Sequence, residues 1–213
     1  MAAEKLSRRE RERERHRELI LHAAERLFAE KGFYRTTMQE IAQRAEFALG
    51  TVYRFFRGKQ ELYEQLLERK LQELVATVCD QMAQEQSPLG RVRKFIEAKL
   101  TFLAGNAHFA RLFFAEAHAW RSSVSQRLER KLRDKYNDLL DKLSGTFEEG
   151  MGQGIFAQTD PRLLALALDG LTSALALRWA EWREQSSDVS PASEIEAAKR
   201  LFLQGVLARP QTM

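Results

Sequence analysis

Cysteine, proline and glycine are all scarce, with one, four and eleven residues in a chain of 213. The lone Cys79 cannot close an intrachain disulfide, and no Cys or His stands at ligand spacing around it. Neither a disulfide framework nor a zinc site is therefore expected, and a reducing cytoplasm suits the chain. So few Gly and Pro leave the tight turns of a β-sandwich without their building residues, and no stretch alternates apolar with polar positions. Helices become the expected element. Near the N-terminus there is no apolar core of signal-peptide length. The most apolar stretch, residues 163–180, is interrupted by Asp169 and Arg178. Each costs about 2.5–3.5 kcal/mol at a bilayer centre, so the stretch reads as a buried helix rather than a membrane span.

What is present is a globular balance, 44% hydrophobic and 30% charged, at a length sufficient for one or two domains. The net charge of +4 is unevenly placed. Residues 1–60 hold 14 Lys/Arg against 9 Asp/Glu, and the remainder holds 20 against 21. A basic first quarter on a neutral body suggests a polyanion-binding module joined to a domain with another task.

Local signals divide the chain further. Ser87-Pro88, Asp160-Pro161 and Ser190-Pro191 each combine an N-cap oxygen with a proline whose missing N–H would be unpaired there anyway, so each marks a helix start. Apolar residues recur at helical spacing from Lys59 onward, predicting helices near 59–85, 88–104, 107–119, 123–150, 161–184 and 191–208. Upstream, Ile20, Ala24, Leu27 and Phe28 form one stripe of a helix over 13–31 that ends at Gly32. Ser7 and Glu10 make a candidate capping box that would extend this helix backward, with Arg8 and Arg9 set to reach phosphate or minor groove. Thr37 and Glu40 make a second capping box, opening a helix that carries Ile41, Ala42 and Ala45. A short break at Glu46-Phe47 precedes a third helical segment, Leu49 to Phe56.

Two short helices so closely joined make a helix-turn-helix, whose second helix enters the DNA major groove while the first lies across the backbone. Gly50 and Thr51 lead the second helix with small groups, and Tyr53 and Arg54 can reach phosphates. Val52 and Phe56 are expected in the core.

Residues 20–67 read ILHAAERLFAEKGFYRTTMQEIAQRAEFALGTVYRFFRGKQELYEQLL. They resemble the DNA-binding domain of the tetracycline-repressor (TetR) family of bacterial regulators, with LFAEKGF, TTMQEIA and GTVYRFF in the family's order. The resemblance implies an all-α fold of about nine helices, with an N-terminal three-helix domain and a C-terminal helical domain. It also implies that Thr36 and Thr37 begin the backbone-crossing helix, that Gly50, Thr51 and Tyr53 face DNA, and that Lys59 touches phosphate. Arg44, Leu49 and Arg54 complete the candidate DNA-binding set. Two residues depart from the pattern. Glu46 stands where Gly is usual in the turn, and Ala48 where Ser or Thr caps the recognition helix. A lost cap costs about 1 kcal/mol and a left-handed non-Gly residue roughly 1–2 kcal/mol. Leu49, at a position commonly polar, favours an apolar contact such as a thymine methyl.

The same resemblance gives the body two roles, a dimeric four-helix bundle from the last two helices and a small-molecule pocket among the middle ones. Leu164, Leu168, Leu175, Trp179, Ile195, Leu201 and Phe202 are the candidate dimer residues. Phe95, Phe102, Phe113, Tyr136, Leu140 and Leu171 are expected to line an effector cavity, with Glu116 and Trp120 as polar anchors. The expected division is a charged arm over 1–12, a helix-turn-helix domain over 13–58, an effector-binding and dimerisation domain over 59–208 and a tail over 209–213. His108 and His118 have no ligand-spaced partner, Gly150-Met-Gly-Gln-Gly154 lacks the spacing of a nucleotide loop, and no catalytic set is assignable. No metal, cofactor or enzymatic activity is expected. The expected function is a ligand-responsive, homodimeric transcription regulator, a repressor released from a palindromic operator by an apolar or amphipathic effector. A helical enzyme with an apolar substrate cavity is the alternative, to be recognised by turnover without DNA affinity.

Overall fold

The computed structural model describes residues 7–119, 126–182 and 191–207. Among these the chain forms nine helices and no strand. They are α1 (Arg8–Arg35), α2 (Met38–Arg44), α3 (Leu49–Phe55), α4 (Lys59–Ala83), α5 (Pro88–Gly105), α6 (Ala107–Ala119), α7 (Gln126–Gly152), α8 (Pro161–Trp182) and α9 (Pro191–Val206).

Helix α1 begins five residues before the apolar stripe predicts, because its start is set by a polar cap. The Glu10 amide donates to the Ser7 hydroxyl at 3.3 Å and the Ser7 amide to the Glu10 carboxylate at 2.7 Å, closing a complete capping box. Gly32, at φ 80° and ψ 165°, breaks the helix one turn before its assigned end. The second expected capping box, Thr37 with Glu40, also closes in both directions. Between α2 and α3 the chain reverses through Glu46, which takes φ 61°. Its amide donates to the Gln43 carbonyl at 3.1 Å and that of Phe47 to the Ala42 carbonyl at 2.9 Å, the bond pair of a Schellman motif with Glu in place of glycine. Ala48 then opens α3 without a side-chain cap, as its chemistry requires.

A first core gathers Ile20, Leu27 and Phe28 of α1, Ile41 of α2, Val52 and Phe56 around α3, and Leu62 and Tyr63 of α4. Edge-to-face packing of Phe28 on Tyr63, centroids 4.9 Å apart, fixes α1 against α4. Further along α4, Leu71, Leu74 and Val78 are buried against α5 and α7, so one helix belongs to both halves of the molecule. Helices α5, α7 and α8 form the rest of the body. Helix α6 connects it to α1, and α9 lies mainly on α5. The glycine cluster after α7 is more than a flexible connection. Helix α7 runs through Gly150, and a Cβ there would collide with the ring of Phe156, which meets Phe147 edge-on at 5.3 Å.

By length and apolarity α8 could cross a membrane, yet its inner face packs on α5, α6 and α7. The expected dimer stripe turns out to be largely this inner face. Leu168, Trp179 and Ile195 are buried in the chain's own core, and Leu164, Leu175 and Phe202 are half-buried against it. Of the seven, Leu201 alone is exposed, at 68%. The outward row on α8 is Leu163, Leu166, Ala167, Gly170 and Ala174, and on α9 it is Ala197, Leu201 and Gly205.

A buried charge holds the body together. Lys99 of α5, 1% exposed, donates to the Asp169 carboxylate at 2.6 Å, to Thr172 Oγ1 at 2.8 Å and to Ser173 Oγ at 2.9 Å. The Tyr136 hydroxyl of α7 donates to the same Asp169 oxygen. Burial pushes the Lys99 ammonium down against the opposing pull of Asp169; burial and the Asp169 charge together push the Tyr136 phenol well up. Lys99→Met should cost about 3–5 kcal/mol by stranding Asp169, whereas Lys99→Met with Tyr136→Phe and Asp169→Leu should recover most of that loss. Denaturant unfolding of the full chain checks this, and a triple variant as unstable as the single one would contradict it. At the turn, Glu46→Gly should raise stability by about 0.5–1 kcal/mol, because relief of the left-handed strain exceeds the added chain entropy of glycine. An unchanged or lower unfolding midpoint would contradict the turn geometry.

Candidate nucleic-acid interface

The amino-terminal elements converge on one polar face. Helix α2 is anchored at its start, where the Glu40 amide donates to the Thr37 hydroxyl at 3.2 Å and the Glu40 carboxylate receives the Thr37 amide at 2.9 Å and hydroxyl at 2.8 Å. Lys31 pairs with the same carboxylate. The Lys31 ammonium first, and then Thr37, hold the Glu40 carboxyl down at about 2. Arg44, exposed at the end of α2, makes a two-pronged pair with Glu30 of α1 at 3.2 and 3.1 Å.

Two residues expected at DNA do other work. Thr36 is fully buried, and its hydroxyl donates to the carbonyls of Leu27 and Gly32, closing the end of α1. Lys59 sends its ammonium into the α1–α2 connection, donating to the carbonyls of Phe33 and Thr36 at 2.8 Å and of Tyr34 at 3.2 Å. All three of its N–H groups are engaged, and the ammonium stands 4.5 Å from the centre of the Phe33 ring. Lys59 thereby pins the loop that aims α2.

Helix α3 presents the remainder. Val52 and Phe56 are buried as expected, which turns Leu49, Gly50, Tyr53 and Arg54 outward. Tyr53 is 48% exposed, and beyond the backbone of its own helix and its chain neighbours no atom lies within 4 Å of where a Cβ on Gly50 would stand. Thr51 lies half-buried beside them. From behind, α1 braces this helix. The His16 ring meets Phe47 edge-on at 5.0 Å and Phe55 at 6.4 Å, and the Arg17 guanidinium lies 5.2 Å from the Phe56 ring centre. A small helix with a bare outward face on a rigid back suits insertion into a major groove.

In the body, the expected effector residues fall into one cluster. Phe102 meets Phe109 at 6.3 Å, Phe109 meets Phe113 at 5.5 Å, and Phe113 meets Tyr136 at 5.8 Å. Through Lys99, 5.8 Å from both the Tyr136 and Phe95 ring centres, the series continues to fully buried Phe95. Leu140 is buried one turn beyond Tyr136, and Leu171 is half-buried beside Thr172. The side chain of Glu116, and Trp120 altogether, lie outside the described residues. The polar groups described beside these rings are Lys99, Asp169, Thr172 and Ser173. Lys99 had a signal in the sequence, because it stands in register with the apolar positions Val92, Phe95, Ile96 and Leu103 of its helix.

Comparison with known proteins agrees with this geometry. Residues 20–66 match the family model for bacterial regulatory proteins of the tetR family, and residues 85–205 match that for the tetracyclin repressor-like C-terminal domain. The chain is 26% identical over 191 residues to the uncharacterized HTH-type transcriptional regulator YfiR of Bacillus subtilis, covering 88% of this chain and 90% of that one. Among solved structures, FadR of Bacillus subtilis in complex with stearoyl-CoA superposes with a TM-score of 0.72 at 22% identity, covering 88% and 97% of the two chains. The ketosteroid transcriptional regulator KstR2 of Mycobacterium tuberculosis gives 0.75 at 21% identity, covering 91% and 95%. With both family models matched in order over most of its length, the chain belongs to the tetR family of bacterial transcriptional regulators.

Proposed function

We propose that this regulator is a cytoplasmic homodimer that represses transcription from a palindromic operator and is released by a small apolar, aromatic or amphipathic effector, without catalysing a reaction. The single observation that carries the DNA-binding part is the outward face of α3. Gly50 leaves the backbone free to approach base edges, Leu49 and Thr51 supply apolar and hydroxyl contacts, and Tyr53 and Arg54 flank them for phosphate. Thr37 and Arg44 set the neighbouring helix across the backbone. Residues 13–58 form the reading head in this scheme, and 59–208 the effector and dimer domain.

Dimerisation is supported by the row of Leu163, Leu166, Gly170 and Ala174 on α8, continued on α9 by Ala197, Leu201 and Gly205. Small residues beside leucines let two helices approach closely, and a two-fold copy of the face would bury the leucines. The effector part is supported by the aromatic run from Phe102 to Tyr136, and by stearoyl-CoA in the similarly folded FadR. A ligand between α5, α6, α7 and α8 would part these rings and shift α4, which carries the reading head. A tenfold loss of DNA affinity requires about 1.4 kcal/mol of differential binding, within reach of such a repacking.

Selection from randomised duplexes tests the role of α3. Thr51→Ala should change the preferred bases, whereas Arg54→Ala should weaken all sequences alike, and the reverse pattern would contradict the assignment. Affinity itself should fall roughly 10³–10⁵-fold between 50 and 200 mM salt if about 6–10 phosphates are neutralised, and a flat response would contradict DNA binding. Leu166→Glu and Leu201→Glu should each sediment as monomers with little operator affinity, and a variant that remained dimeric would refute the outward face as the interface.

A further inference from the structure

The N-terminal run RRERERERHRE, from Arg8 to Glu18, alternates sign so regularly that in sequence it has no direction. Folded into α1 it is sorted. Glu14 and Glu18 lie on the side facing α4, where both pair with Arg69, Glu14 at 3.3 Å. Arg9, Arg13 and His16, at intervals of four and three residues, share a different side, turned toward α3. There they face Phe47, Thr51 and Arg54 across a groove of about 670 Å³. Arg11 and Arg15 lie exposed on the side of the helix opposite the groove.

Three facts give the groove a direction. The Ser7–Glu10 capping box holds Arg9 and Arg13 in a rigid helix. The Phe47 and Phe55 contacts of His16 fix that helix against the recognition unit. Arg9, Arg13 and Arg54 make no ion pair among the described residues, although carboxylates are abundant nearby, and the Glu14 and Glu18 carboxylates are held by Arg69. Thr51 of the reading helix lies on the groove wall, so a DNA strand bordering the major groove that α3 enters must run past its mouth. Arg9 and Arg13 are spaced roughly 6 Å along the helix, room for a separate phosphate each.

We propose that the first turns of α1 form a second DNA-contacting element, in which Arg9 and Arg13, opposite Arg54, clamp the phosphates of the strand flanking the major groove. The site depends on the DNA-binding role proposed above and extends its footprint beyond α2 and α3. Glu12, on the same side of α1, is the one carboxylate lining the groove among the described residues, and it weakens the clamp.

Binding of the full chain to mixed-sequence duplex DNA across a salt series tests the clamp. Arg9→Gln with Arg13→Gln should flatten the slope of log affinity on log salt by about 1.8 per protomer, because each phosphate left without its arginine takes about 0.9 from the slope. Raising salt from 50 to 200 mM then costs this variant roughly tenfold less affinity per bound protomer than the wild type, on the order of a hundredfold for a dimer with both heads on DNA. Arg11→Gln with Arg15→Gln removes the same charge from the outward side and should leave the slope unchanged. Glu12→Gln should tighten binding, a gain that no folding defect produces. Equal flattening by the two arginine pairs, or none from Arg9 and Arg13, would overturn the clamp alone. A wild type with no salt-dependent affinity would overturn the DNA-binding role with it.

Discussion

The structure depends on one continuous helix that carries a single apolar core from one half of the molecule into the other. Leu62, Tyr63 and Leu66 of α4 are buried with α1, α2 and α3; two turns on, Leu71, Leu74 and Val78 are buried with α5 and α7. At 25 residues α4 is about 38 Å long, and close packing at both ends leaves it no slack. Displacement of the body by a ligand, as proposed above, would therefore reach the reading head as displacement of a rod. Surface pairs repeat the connection on both sides, with Arg69 held by Glu14 and Glu18 of α1, and Glu68 by Lys131 and Lys135 of α7. A further tie comes from α6, where the Arg111 guanidinium donates to the Ala29 carbonyl at 3.4 Å and the Ala180 carbonyl at 3.0 Å, near the ends of α1 and α8. Among the described residues, head and body are thus joined through α4 and through the packing of α1 on α6 that Arg111 ties.

How much the residues alone reveal follows from the range of the forces involved. Capping is local chemistry, so Ser7 with Glu10, Thr37 with Glu40, and the Ser87-Pro88 start of α5 are legible from residues three apart or closer. The left-handed turn at Glu46 is legible only through the family resemblance, since nothing in Glu itself announces it. Apolar periodicity misplaces the start of α1, because the first three turns bury no apolar side chain and their order comes from a cap. Motif position points Thr36 and Lys59 at DNA, whereas the carbonyls they bind come from the end of α1, over 20 residues before Lys59.

Helix α8 illustrates a second limit. Leu163, Leu164, Leu166, Leu168, Leu171, Leu175 and Leu177 surround the helix, so periodicity gives no phase, and inner and outer faces are separated only by what packs beside them. Asp169 in the sequence argues merely against a membrane. In the fold it is the partner of Lys99 and Tyr136, placing an ionic centre beside the aromatic run where a ligand is proposed to bind. Such a centre favours one arrangement of three helices over sliding alternatives, because any shift strands a buried charge.

Two identical reading heads on the proposed dimer would leave a two-fold imprint on DNA. Hydroxyl-radical footprinting of the full-length protein on duplexes selected from a random pool tests this most directly. Two equivalent protected tracts are expected on one face of the helix, with centres one turn of about 10–10.5 base pairs or a whole multiple apart, related by sequence inversion. A single asymmetric tract at saturating protein would contradict it.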